Sequence, residues 1–432
     1  MNRNDVAQYA LEKLTASGAD KASVMVACGR KEEFNVEAGK FSLLRTLFND
    51  ALSLKAIHGG RKGVASINKL DKDSIDKAVA DCTALAESAT PDEAEDIAEK
   101  SENKSFNQSI GGSNMDGLFA RTKDFLEQLG DEYPKIILEA LITHFNSAQI
   151  TYMNSNGVEF NENREFYQIS TGFTAKEGEV ATSLNFFNAK LPSLSAPFMD
   201  TGMLRTLLDE AVKSLDTRLA DDKFVGKIIV TPACSDLIWG TLLNCFLTDR
   251  PLIDGTSRWK DSLGKKVADS KLTMRLSPHH PGIVAGERFT ADGYESHDFD
   301  IIRDGLLKSF ALSLYGARKT GNLRAGNTDF TSIEVTPGDT PLEDMIRGID
   351  KGILLNRFSG GAPSPSGDIS GIAKNSFLIE NGKVTDALSE TMISFNIIDA
   401  LQNIPAISAE RCTDGISVLP WCCLDGVTIS GK

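Results

Sequence analysis

Imidazoles and thiols, the groups that most readily hold zinc or act as nucleophiles near neutral pH, number five and seven in this chain. A zinc peptidase needs two imidazoles held on one helix, a carboxylate to activate water, and a third ligand. The histidines are His58, His144, His279, His280 and His297, and none stands in an H-E-x-x-H pattern. His279 and His280 are adjacent and followed by Pro281. In an extended segment their rings point apart and do not share one ion. His144 sits in the β-type run Ile142-Thr143-His144-Phe145 and reads as a sheet residue. The cysteines are Cys28, Cys82, Cys234, Cys245, Cys412, Cys422 and Cys423. They are odd in number and form no C-x-x-C pair, so neither a disulfide framework nor a zinc ribbon is indicated. No G-x-S-x-G elbow is present. Ser366-Gly367-Asp368 is a polar glycine loop, either a plain surface turn or a loop that exposes amides to a ligand.

The stretch best placed to carry a catalytic group is mid-chain. Val225 to Val230 is a short apolar run that Thr231-Pro232 ends. From Asp236 the pattern changes to helical spacing, with Trp239, Leu242, Leu243, Phe246 and Leu247 on one face. A strand, a proline turn and a half-buried helix is a place where metal ligands could sit.

Composition bounds the class. The 432 residues allow two or three domains and a large core. The net charge of −14 repels phosphate backbones and argues against nucleic acid as a partner. No apolar run reaches the length of a membrane span, and Met1-Asn2-Arg3-Asn4-Asp5 leads into a helical pattern without a signal core. The expectation is a cytoplasmic protein without membrane contact.

The positioning elements follow from periodicity. Helices are expected at Asp5–Ala16, Asp71–Ser88, Asn114–Leu129, Leu204–Ala220, Leu342–Ile349 and Met392–Gln402. Strand-like runs are Ala22–Cys28, Glu32–Glu37, Phe41–Leu47, Ala51–Ile57, Lys135–Asn146, Ala148–Asn154, Val158–Thr174 and Val180–Asn188. Gly59-Gly60 and Asn156-Gly157 signal hairpins, Asp292-Gly293, Asp304-Gly305 and Asn381-Gly382 further turns. Arg61 and Lys62 after the double glycine read as a solvated turn, since no phosphate-loop spacing is present. Residues 89–105 are acidic and polar and read as a solvated connector. Strands and helices without strict alternation give an α+β class with antiparallel sheets. The boundary falls near Asp221, separating an α+β domain of residues 1–220 from a mostly β, barrel-like domain of residues 221–432.

These fragments in this order resemble the TldD/PmbA family, in its PmbA (TldE) branch, also called modulator of DNA gyrase. The resemblance runs through Gly63-Val64-Ala65-Ser66 and Asn154-Ser155-Asn156-Gly157-Val158 to Ser262-Leu263-Gly264-Lys265. It continues with Phe289-Thr290-Ala291-Asp292-Gly293, Ile301 to Leu307, Ala317-Arg318-Lys319-Thr320-Gly321, Ser366 to Ser370, Ile379 to Gly382 and Val427 to Gly431. Each piece alone is weak; their order is specific. The family's catalytic branch is a zinc metallopeptidase whose helix bears H-E-x-x-x-H, with a distant cysteine as third ligand. Anchored on Thr231-Pro232, the motif positions fall on Gly240, Thr241 and Cys245, and no histidine lies between His144 and His279. Cys412 lies where the third ligand would stand. The resemblance therefore implies no catalytic and no metal residues here, with zinc confined to a TldD-like partner. It implies a heterodimer that degrades unfolded or small peptides, with Ser366, Gly367 and Asp368 as a candidate substrate-cleft loop. Two alternatives stand beside it. One is a stand-alone metallopeptidase using Cys245, Cys412 and a histidine. The other is a homodimer that holds peptides without cutting them.

Overall fold

The structure, a computed structural model, describes residues 1–220, 223–389 and 391–431. The first helix, α1 (Arg3–Ala16), starts at Asn2, whose side chain accepts the Asp5 amide while Asp5 returns a bond to the Asn2 amide. Two long strands follow, β1 (Lys21–Glu37) and β2 (Lys40–His58). Gly59 and Gly60, both at positive φ, turn the chain into β3 (Arg61–Ile67). Then come α2 (Lys72–Ser88), β4 (Lys104–Gln108), α3 (Met115–Glu132), β5 (Ile136–Asn154) and β6 (Glu159–Glu177). The short β7 (Val180–Ala181), then β8 (Asn185–Leu191) and α4 (Leu204–Lys213), complete this half. The sheet runs β3-β2-β1-β5-β6-β4, with β8 also on β6.

The runs expected as separate short strands are continuous. Polar Gly29 to Lys31 break the apolar pattern but not the ladder, because Gly29 is paired with Asn49 on one side and Ala148 on the other. Likewise Asn146, Ser147 and Ala148 carry β5 across the gap expected between two strands. The expected strand at Val180–Asn188 is split into β7 and β8.

One face of this sheet is closed by helices. Val24, Val26 and Leu54 pack with Val6, Leu14 and Ile75 from α1 and α2, while Phe34 and Leu141 pack with Leu118 and Phe125 from α3. The other face meets the second half of the chain. Tyr152 and Phe160 stack around Phe289, at 6.3 and 5.4 Å between centroids.

The acidic segment at 89–105 is not a free connector. Ala94, Ile97 and Ala98 are buried. Glu95 pairs with Lys55 and Lys62, Asp96 with Lys21 and Arg318, and Asp92 with Lys319. Its counter-charges come from distant parts of the chain, which local composition does not reveal. The segment is a strap that ties β1, β2 and β3 to the helix Leu314–Thr320.

The second sheet branches about the long strand Val418–Ser430. That strand pairs with Phe224–Val230, Thr391–Asn396 and Ile407–Thr413, and touches Ile333–Val335. Phe224–Val230 lies parallel to Lys351–Leu355 on its other side. Two helix expectations are corrected here. Leu204–Ala220 is helical only to Lys213, and Thr217–Leu219 is already a strand, paired with Ala387–Ser389. Met392–Gln402 is strand to Asn396 and then helix Ile397–Gln402, because the Asn396 side chain accepts the Ile398 and Asp399 amides and caps the helix there. The boundary expected near Asp221 lies outside the described residues. The α+β class holds, with two sheets. Among the described residues no helix is long and apolar enough to cross a membrane.

Candidate functional site

Strand Phe224–Val230 leads directly to the site. The Thr231 amide donates to Leu355 O at 3.1 Å, Pro232–Cys234 forms a short 3-10 turn, and helix Asp236–Leu242 begins. Leu237, Ile238, Trp239 and Leu242 are buried in the core around Ile228, Val230 and Ile353. The helix then widens into a π-helical turn, Leu243–Leu247. The Thr248 amide reaches Leu243 O at 3.2 Å, five residues back, and the Thr248 hydroxyl donates to the same oxygen.

That turn changes which residues share a face. At 3.6 residues per turn, positions i and i+5 lie about 140° apart. A π turn closes that angle, and such turns recur at functional sites. Gly240, Thr241 and Cys245 all line one cleft of about 510 Å³. Asp236 and Asn244 stand on the same wall. The Asp236 carboxylate leans over Gly240: a Cβ there would meet its Oδ1 at 2.2 Å.

The opposite wall is strand Arg357–Gly360 with Gly361, Ala362 and Pro363. This strand pairs with Asp368–Lys374 on one edge and has no strand on the other among the described residues. At the cleft floor the Phe358 amide donates to the Cys234 thiol. Burial pushes that thiol up to about 12, helped by Asp236. Burial also raises Cys245. Cys412 sits up at about 11, through burial and then Asp414. None of the three presents a thiolate at neutral pH.

Cys412 lines a neighbouring hollow of about 290 Å³ with Phe187, Met203 and Pro232, which meets the cleft at Ala233. The structure therefore separates Cys412 from Cys245. Ser366, Gly367 and Asp368 do not line the cleft. Ser364, Ser366 and Asn396 all donate to the Asp368 carboxylate, at 3.0, 2.6 and 2.9 Å. Those bonds hold that carboxyl below its usual range, Ser366 contributing most. Gly367, at φ +92°, lies against Ile397 and Phe246, where a Cβ would sit 3.0 and 3.2 Å from them. The loop backs onto the π turn; its neighbours Gly360 to Pro363 face the cleft. Arg357, Asp236 and Asn244 were not legible as cleft residues, since each sits in a run with no motif of its own.

Residues 225–431 match the PmbA/TldA metallopeptidase C-terminal domain. The C-terminal part of the chain thus carries a PmbA/TldD-type metallopeptidase domain. A metalloprotease PmbA homolog of Haemophilus influenzae is 23% identical, over 93% of this chain and 90% of that protein. Metalloprotease PmbA of Escherichia coli O157:H7 is 30% identical over a shorter match, 34% of this chain and 33% of its own length. The crystal structure of TldE from Thermococcus kodakarensis shares the fold, with a TM-score of 0.83, 20% identity and 99% of each chain covered.

The metallopeptidase description raises zinc as a resident ion. The residues of this cleft do not fit it. The cleft holds no imidazole, and the Asp236 carboxylate and Cys245 thiol are its acidic or thiol donors besides the buried Cys234. Among the described residues no three His, Cys, Asp or Glu side chains converge as an ion site requires. No step through a metal is derived for this chain.

Proposed function

We propose that this chain is a cytoplasmic, non-catalytic subunit of a TldD/TldE-type peptidase complex. It binds unfolded or small peptides and leaves bond cleavage to a TldD-like zinc subunit. The observation that carries this reading is the cleft against the π turn. Gly240, Thr241 and Cys245, the positions the resemblance aligns with H-E-x-x-x-H, all line this cleft, and none supplies an imidazole or a water-activating carboxylate. The free edge of Arg357–Gly360 beside that wall suits an extended peptide added as a strand.

A second surface supports assembly. The first half of β2, Lys40 to Ala51, pairs with β1 but not with β3, whose last residue Ile67 lies opposite Leu52. Leu44 and Phe48 on this open edge are 64% and 76% exposed. An exposed edge strand with large apolar side chains is a template for pairing with another chain. In this reading the catalytic subunit is that chain.

The test is to purify the chain alone and with a TldD-like chain. Zinc content and cleavage of an unstructured peptide are then measured for each. Cleavage confined to the pair supports the subunit role. Stoichiometric zinc and chelator-sensitive cleavage by the single chain defeat it.

A further inference from the structure

Arg357 is the cation lining the cleft, and among the described residues no carboxylate pairs with it. Its guanidinium carries five N–H donors and stays charged at every accessible pH. It is half-buried, and Nη1 is shut off from water without an acceptor. Burial dominates its surroundings, with only the protonated Cys234 thiol nearby as an electrostatic influence. Other arginines on the N-terminal sheet and the strap helix reach carboxylates, as Arg45 does with Glu33 and Arg318 with Asp96.

Its placement is directed. The guanidinium lies over the Phe186 ring, 5.3 Å from the centroid. Packing over an aromatic face fixes the guanidinium plane and leaves its edge donors free for a planar, two-oxygen acceptor. Arg357 also opens the strand whose far edge has no strand beside it among the described residues, so its side chain stands at one end of an edge on which the Phe358 amide is taken by Cys234 and Ser359 to Pro363 line the cleft beyond it. Across the cleft, Asp236 and Asn244 are exposed and offer acceptors and donors to a bound backbone.

We propose that Arg357 anchors a carboxylate of an extended peptide laid along the free edge of Arg357–Gly360. The ligand class is a peptide with a free C-terminal carboxylate or an acidic side chain at that end. This inference rests on the peptide-binding reading above and adds the recognised end.

The test uses the full chain and a short, N-terminally labelled, unstructured peptide, followed by fluorescence anisotropy. The peptide is supplied as the free acid, as the C-terminal amide, and as an amide ending in glutamate. The free acid is expected to bind about tenfold or more tighter than the plain amide, the weight of a charge-assisted pair. Arg357→Gln should lose that factor for the free acid and nothing for the amide, while Arg357→Lys recovers part of it. The glutamate amide binding like the free acid assigns a side-chain carboxylate; binding like the plain amide assigns the terminus. Both support the anchor. Equal binding of free acid, plain amide and glutamate amide by the unaltered chain overturns it without needing any variant. So does the absence of binding by all three peptides. Neither result bears on the zinc and cleavage measurements that decide the subunit role.

Discussion

The Tyr315 hydroxyl lies 2.9 Å from a carboxylate oxygen of Asp92, 223 residues away in the chain. Lys319, one turn on, reaches the same oxygen at 2.9 Å. The helix bearing both is capped at Ser313, whose amide and hydroxyl are held by Asp249 at 2.9 and 2.5 Å. Asp249 begins the turn that follows the π segment carrying Cys245. The acidic strap is thus joined to the cleft helix through bonded side chains and one short helix.

This strap predicts an acid response. Lys319 first, then the Ala94 amide and Tyr315, hold the Asp92 carboxyl down at about 2, from an ordinary 3.8. A lowered folded value means the contribution is complete above about 4 and is lost as pH falls toward 2. Asp92→Asn should lower the melting temperature by a few degrees near neutral pH and flatten the acid limb over that window. Thermal melts at stepped pH check it. An unchanged acid limb would show that Asp92 ties nothing down.

The thiols give a second prediction. Cys245 and Cys412 are raised by burial, Cys412 to about 11. A thiol reagent should therefore modify the folded protein slowly at neutral pH and faster as pH rises, while all seven cysteines react once it is unfolded. Cys245→Ser and Cys412→Ser should leave peptide cleavage by the assembled pair unchanged. Loss of cleavage in either variant would return the cysteines to the chemistry.

The open edge of β2 gives a third. Leu44 and Phe48 are exposed, so Leu44→Lys and Phe48→Lys should alter the stability of the single chain by no more than about 0.5 kcal/mol. Both place a charge on an edge that otherwise invites pairing, and should release a TldD-like chain in co-purification. Retention of the partner by the double variant would move the interface elsewhere.

How much of this was legible beforehand follows from where each signal resides. The buried face of the cleft helix was readable because Trp239, Leu242, Phe246 and Leu247 repeat at helical spacing. That no histidine lies between His144 and His279 is read directly from the chain. The π turn was not readable, since it depends on a five-residue hydrogen bond at Thr248 that no propensity marks. The strap read as solvated because its cations, Lys21, Lys55, Lys62, Arg318 and Lys319, are supplied by tertiary contact. Ser366-Gly367-Asp368 drew attention as a polar glycine loop, yet its hydroxyls are spent on Asp368. The cleft is faced by the plainer residues just before it.

A final prediction concerns Glu210 on α4. Its Oε2 is buried without a hydrogen-bond partner, and burial pushes the carboxyl up to about 7 from an ordinary 4.5. A raised folded value means that folding favours the protonated form. The resulting stability is complete below about 4.5 and disappears as pH rises through about 7. The full swing is on the order of 3 kcal/mol. The unaltered chain should therefore lose melting temperature between mildly acidic and mildly basic pH. Glu210→Gln, which keeps the shape and removes the titration, should be flat over the same range and more stable at its basic end. Two parallel melting curves would show that Glu210 is ionised throughout, and that water reaches its carboxylate.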